Sequence, residues 1–240
     1  MQKNIYLCLM KKTILALAAI IAFTVAASAQ RYNNYGLELT NSDKVETNLR
    51  IAFPMYFGMS TLLNNNDSYL ETILPQNFVY SLEMASMRIS SRKSHIEGSL
   101  GVRWTFMDFS LRNKDITFRE GLTGVYVPSP ILLENLKYDG TKSKIHATYL
   151  GIPLRIAYKA GKGKVYAGAS AEFLVKGYTK YRNPGYRETT NELFNRFRAT
   201  AEAGFSYGLI GVFVSYGFTP LFPSDWSNAR TISFGLTLGI

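Results

Sequence analysis

The chain has 240 residues, with 27 Lys and Arg against 17 Asp and Glu, for a formal charge of +10. Its single cysteine, Cys8, rules out an intrachain disulfide framework and a thiolate metal cluster. Apolar residues make up 47% of the chain, yet after the first thirty residues no run approaches the roughly 20 apolar positions that a membrane-spanning helix needs.

At the start of the chain Lys11 and Lys12 precede an apolar run from Ile14 to Ala27, and Ala27-Ser28-Ala29 then gives a small-residue cleavage site before Gln30. This is the secretory pattern, and it predicts a signal peptide over residues 1–29 and export from the cytoplasm. Met10 heads a conventional signal by itself, so translation is expected to begin either there or at Met1. Cys8 precedes the apolar run, whereas an acylated lipoprotein cysteine would follow it, so lipidation is not expected. Removing the signal takes away Lys3, Lys11 and Lys12 and no acid, which lowers the charge from +10 to about +7. The exported compartment excludes nucleic acid as a partner. Residues 30–47 are expected to form an N-terminal periplasmic segment, and residues 48–240 one domain.

Eight amphipathic segments follow in chain order: Asn48 to Met59, Phe78 to Ser90, Ile96 to Phe109, Ile145 to Tyr158, Lys164 to Tyr178, Arg196 to Gly208, Gly211 to Thr219 and Arg230 to Ile240. Long connections fill Ser60 to Asn77, Ser110 to Lys144, Thr179 to Asn195 and Pro220 to Ala229. The alternate connections are tight, around Ser91 to His95, Lys159 to Gly163 and Leu209 to Ile210. Long and short connections in strict alternation are the pattern of a transmembrane β-barrel, with short periplasmic turns and longer external loops. The predicted fold is therefore all-β, an eight-stranded antiparallel barrel in the outer membrane of a Gram-negative cell envelope, with a soluble β-sandwich as the competing architecture.

Side chains alternate faces along a strand, so the two faces can be read off directly. In the last segment Ile232, Phe234, Leu236, Leu238 and Ile240 share one face, opposite Thr231, Ser233, Gly235, Thr237 and Gly239. Similar alternation runs through the first, third, fifth, sixth and seventh segments. The second changes parity between Met84 and Met87, which predicts a bulge near Ala85 to Ser86. The fourth turns Pro153 inward, where the missing amide donor predicts a local distortion. Tyr56, Phe57, Tyr80, Trp104, Phe106, Tyr158, Tyr178, Tyr207, Phe218 and Trp226 are expected to collect near the segment ends, as interfacial girdles do.

The stretch Tyr149-Leu150-Gly151-Ile152-Pro153-Leu154-Arg155-Ile156-Ala157-Tyr158 resembles a strand typical of the outer membrane β-barrel domain family that includes PorT-like proteins. Val165 to Ala169 through Leu174, Ala203 to Gly208 and Ile232 to Ile240 resemble the same family. The chain ends on Ile240 where such barrels commonly end on an aromatic residue. The resemblance implies an eight-stranded outer-membrane barrel, and its PorT-like branch implies a part in protein secretion.

An eight-stranded barrel is filled by its own side chains. The inward set Arg50, Glu83, Arg88, Glu97, Arg103, Arg155, Glu172, Lys176, Arg198 and Glu202, with Arg196, carries both signs, and buried charges persist when paired. These residues predict a plugging charge network, with Arg88 near Glu97 and Glu83 near Arg103 across the short turn; a narrow ion or solute channel is the alternative. In the third long connection Tyr178, Lys180, Tyr181, Arg182, Tyr186 and Arg187 mix aromatic and basic groups suited to glycan or protein contact. The second carries an apolar Pro128 to Leu133 stretch. His146, with Ser143 and Asp139 close in sequence, is the one arrangement that could serve an outer-rim lipid-modifying enzyme. No residue matches a catalytic, cofactor or metal motif, so no enzyme activity and no cofactor are expected. The expected partners are outer-membrane lipid and lipopolysaccharide, the barrel-assembly machinery, and secretion components or an extracellular glycan or protein, around a monomer.

Overall fold

The computed structural model describes residues 47–63, 70–91, 95–114, 116–120, 126–130, 143–181, 187–189, 191–223 and 227–240. The predicted signal peptide and all but the last residue of the 30–47 segment lie outside the described residues. The strands are β1 (Thr47–Ala52), β2 (Met55–Leu63), β3 (Phe78–Ser91), β4 (Ile96–Ser110), β5 (Ile116–Glu120), β6 (Tyr126–Pro130), β7 (Ser143–Ala160), β8 (Gly163–Tyr181), β9 (Arg187–Thr189), β10 (Phe197–Tyr207), β11 (Ile210–Gly217) and β12 (Arg230–Leu238). β1 and β2 form one wall strand interrupted at Phe53-Pro54. Together with β3, β4, β7, β8, β10, β11 and β12 they close an eight-stranded antiparallel barrel. β5 and β6 form a separate hairpin in the long second connection, and β9 adds to β8 beyond the end of β10.

Closure is made by β12 on β2, in register from Arg230↔Leu63 to Leu238↔Met55. That seam leaves no open edge in the wall, which lipid would otherwise penalise through unpaired amides and carbonyls. Gly235 and Gly58 are partners across it, and a Cβ on either would run into the backbone of the other strand. The periplasmic turns at Gly161-Lys162 and Gly208-Leu209 are equally tight. Their glycines have φ of +61° and +63°, the left-handed conformation that two-residue hairpin turns require.

Two irregularities re-aim side chains. In β3 the register against β4 shifts between Glu83 and Ala85, so Met84 and Ala85 both face outward and Ser86 turns in. This is the bulge expected near Ala85 to Ser86, centred one residue earlier. The same extra residue shifts β3 against the first wall strand, between Met55↔Leu82 and Ala52↔Ser86, beside the break at Pro54. Pro153 faces the lumen, and opposite it the β4–β7 ladder opens between Leu100↔Leu154 and Arg103↔Gly151 and then resumes unshifted. The second bulge was not legible in the alternation. β8 gains a residue at Val175, between Thr148↔Lys176 and Tyr149↔Leu174.

Below the external ends of β4, β7 and β8, the outer face of the wall is predominantly apolar. On β7, Ile152, Leu154 and Ile156 are 54%, 59% and 65% exposed, while Gly151, Pro153 and Arg155 between them are buried. On β12, Phe234 and Leu236 are exposed, and Ser233 and Thr237 are buried. A soluble sandwich would bury the first set and hydrate the second. Here the polar set is enclosed and the apolar set is left for hydrocarbon. Leu236→Arg should therefore cost about 2–4 kcal/mol in a reversible folding assay in lipid, against about 0–1 kcal/mol for Asn228→Arg at the exposed external end. Equal costs at the two positions would contradict the exposure of Leu236 to hydrocarbon.

Candidate functional site

The barrel interior is built from strand positions of one parity, and at its centre these carry three arginines and three glutamates. Arg155 on β7 grips Glu83 on β3 with two parallel bonds, Nη1 to Oε1 at 3.0 Å and Nη2 to Oε2 at 2.5 Å. Its Nε donates to Glu202 on β10. Arg103 on β4 donates from Nη1 to the other oxygen of Glu202 at 2.5 Å and places Nη2 3.5 Å from Glu172 on β8. Arg198, back on β10, closes the series on Glu172 through Nε at 2.9 Å and Nη2 at 2.7 Å. The result is one continuous, charge-balanced chain, Glu83–Arg155–Glu202–Arg103–Glu172–Arg198, whose members are all at most 5% exposed. Forked arginine–carboxylate bonds are the strong, geometrically specific kind.

Aromatic rings line the chain and glycines make room for it. The guanidinium groups of Arg103 and Arg155 lie 5.3 and 5.5 Å from the Tyr56 ring centroid, and that of Arg198 lies 4.8 Å from Tyr149. Tyr56 meets Phe213 edge-on at 5.3 Å. A Cβ on Gly101 would strike the Glu83 carboxylate, and one on Gly151 or Gly168 would strike Glu172 Cγ or Arg155 Cγ. The inward glycines are thus the space into which the long charged side chains fold. What stays open beside Tyr56, Arg103, Glu172, Glu202 and Phe213 is a cavity of about 20 Å³, room for about one water molecule.

At the periplasmic end a second cluster sits below the first. Glu97 is held by Lys159 and, at 2.8 Å, by Lys164, and Arg88 Nη2 donates to the Gly239 carbonyl at 2.5 Å. At the external end the connections fold onto the mouth. Leu70, Leu111, Phe118, Leu193, Phe194, Leu221 and Phe222 are buried, with Phe222 stacked between Phe118 and Phe194 at 6.4 and 5.8 Å. Asn195 ties the loops together by donating from Nδ2 to the carbonyls of Pro220 and Phe222, and its own carbonyl accepts from Tyr149 on the wall.

Most of the inward set lies where the alternation placed it, but several partnerships differ. Glu83 and Arg103 are register partners, as expected, yet Glu83 pairs with Arg155, and Arg103 reaches across to Glu202 and Glu172. Arg88 does not pair with Glu97, whose partners are the two lysines. Lys176 is exposed on the outer face, because the Val175 bulge reverses the parity of β8 from that point. Arg196 is likewise exposed. The Arg50 side chain lies outside the described residues, although its backbone pairs with Arg88. Of the loop group, Lys180 is exposed and Tyr178 half-buried; Arg182, Tyr186 and the side chains of Tyr181 and Arg187 lie outside the described residues, as do Ile131 to Leu133.

A further cluster was missed in the sequence because its members are far apart in the chain. Register places Asp108 on β4 directly beside His146 on β7, and Tyr178 on β8 at His146's other side. His146 Nδ1 is 2.7 Å from Asp108 Oδ1, and its Nε2 is 3.1 Å from Thr148 Oγ1. The Tyr178 ring stacks on the imidazole at 4.4 Å. Of the sequence neighbours considered for His146, Asp139 lies outside the described residues, and Ser143 is a buried residue at the start of β7.

A family model described as outer membrane protein beta-barrel domain matches residues 27–223. The crystal structure of Neisserial surface protein A (NspA) is similar to 80% of this chain and 99% of its own, with a TM-score of 0.40 and 8% identity. None of the curated proteins compared with the chain matches it. With most of its length matched to that model, and with a closed eight-stranded sheet turned apolar side out, the chain belongs to the outer membrane protein beta-barrel domain family and resides in the outer membrane.

Proposed function

We propose that this protein is a sealed, non-conducting barrel that anchors an interaction surface at the external face of the outer membrane. The observation that carries this reading is the chain of six charges across the lumen. Each member is hydrogen-bonded or ion-paired to the next, between an apolar cap of loop residues on one side and the Glu97 cluster on the other. Opening a path for ions would leave several charges buried and unpaired, a penalty of several kcal/mol for each. The alternative of a narrow channel is disfavoured on the same ground.

The external connections are then the working parts, and their buried apolar cap gives them a defined shape that a protein or glycan partner can read. The resemblance to PorT-like proteins supports a secretion-associated role for that partner. Apart from it, the protein meets lipopolysaccharide along its wall and the barrel-assembly machinery during insertion, as a monomer. The signal peptide over residues 1–29 and the periplasmic segment over 30–47 belong to this same reading. A deletion strain scored for secretion, envelope integrity and adhesion tests the role, and unchanged phenotypes in all three would refute it.

The seal itself yields two expectations. In planar bilayers the purified, folded protein should give no steady conductance, and Arg103→Ala with Glu202→Ala should introduce it; persistent steps from the wild type would overturn the reading. In a folding cycle, Arg155→Met strands Glu83 and leaves Glu202 to Arg103 alone, and should cost about 3–5 kcal/mol, less where water reaches the lumen. Adding Glu83→Gln should then cost less than the sum of the single changes. Simple additivity would show that the pair does not interact.

A further inference from the structure

The outer wall carries a second chemistry that the sealed lumen does not use. Beyond the aromatic positions Trp104 and Phe106, β4 continues outward-facing to Asp108, and β7 continues from Ile152 and Leu150 to Thr148 and His146 on the same face. The bulge at Val175 brings Lys176, Tyr178 and Lys180 to that face on β8. His146 stands between an acid and a hydroxyl, with Asp108 on Nδ1 and Thr148 on Nε2. A single tautomer satisfies both contacts. Nδ1–H donates to the Asp108 carboxylate, which leaves Nε2 as the acceptor for the Thr148 hydroxyl proton. This is the geometry by which an oriented imidazole activates a hydroxyl nucleophile, and that geometry identifies such a triad irrespective of chain order or fold.

We propose that Thr148, His146 and Asp108 form an ester-cleaving site on the outer barrel wall, and that its substrates are acyl esters of lipid in the outer leaflet. Thr148 is flanked in register by Phe106 on β4 and Lys176 on β8. One side therefore offers an apolar surface for an acyl chain, and the other a cation for the carbonyl oxygen or a headgroup phosphate. The site is closed in this structure. His146 and Thr148 are 9% and 6% exposed, with the Tyr178 ring lying on the imidazole, so neighbouring side chains must move for substrate to reach the hydroxyl.

The reaction balances without a co-reactant other than water. Thr148 Oγ1 bonds to the ester carbonyl carbon as its proton passes to His146 Nε2. The bond from that carbon to the alkoxy oxygen then breaks, and His146 returns the proton to the departing alcohol. Water, deprotonated by the same nitrogen, cleaves the acyl-threonine, which releases the fatty acid and restores the hydroxyl. Thr148 and His146 are the catalytic residues. Asp108 is a positioning residue that fixes the tautomer.

The site lies on the opposite face of the wall from the charge chain, so its failure and that of the sealed lumen are separable. The test uses the full, folded barrel in detergent with a p-nitrophenyl acyl ester, together with two vesicle preparations, one of phospholipid alone and one containing lipid A. Wild-type protein should cleave the soluble ester, and Thr148→Ala and His146→Ala should each lose at least about 100-fold, with gel mobility before boiling unchanged. Thr148→Ser should retain activity, Asp108→Asn should lower kcat with little change in KM, and a fluorophosphonate should label position 148 in the wild type and in Thr148→Ser but not in Thr148→Ala. Fatty acid released from one type of vesicle identifies the lipid source, and release from both assigns a general acyl esterase. Release from neither, or wild-type cleavage no faster than that of Thr148→Ala, would overturn the proposal.

Discussion

Closure of the sheet is the constraint on which everything else rests. In hydrocarbon an unpaired backbone group has no water to turn to, so the last strand must find the first. β12 and β2 do so over nine register pairs. Once eight strands have closed, the interior width is fixed, and side chains must fill it. An apolar filling would make both faces alike and leave nothing to tell the strand which way to turn. The charged filling separates the faces sharply, at the cost of demanding that every charge be matched.

The matching explains the glycines, tyrosines and bulges together. Arg155 and Glu172 are long, and they lie down over Gly168 and Gly151 on neighbouring strands, where a Cβ would block them. Tyr56 and Tyr149 supply faces for the guanidinium groups that the carboxylates leave uncovered. The bulge at Met84-Ala85 keeps Glu83 inward at the point where Pro54 breaks the adjoining strand, and the ladder gap opposite Pro153 spares a donor that proline lacks. Sealing the lumen and exposing the apolar wall are therefore one solution, and the external loops are left free to differ.

The strands, their order and the sign of each face were legible because alternation is enforced at every residue that meets lipid. Partnership was not. Nearest-neighbour register correctly put Glu83 opposite Arg103, but in a lumen this narrow an arginine reaches strands that are not its neighbours, and a linear reading has no term for the third dimension. Lys176 escaped for a different reason. A bulge of one residue at Val175 reverses parity, and the Leu174-Val175-Lys176 stretch reads equally well in either phase. Asp108 and His146 lay within reach of the β4–β7 register, which pairs them, but proximity in sequence pointed to Asp139 and Ser143 instead.

The most direct test addresses the seam. Ser60 and Ser233 are register partners on β2 and β12, with their hydroxyls 2.9 Å apart inside the barrel. In a Cys8→Ser background, Ser60→Cys with Ser233→Cys should oxidise to a disulfide in the folded protein, closing a loop between residues 173 apart. Boiled, unreduced protein should then migrate as a single species distinct from its reduced form, while each single cysteine variant shows no change. Failure of the pair to cross-link in protein that has inserted into the membrane would contradict the closed barrel.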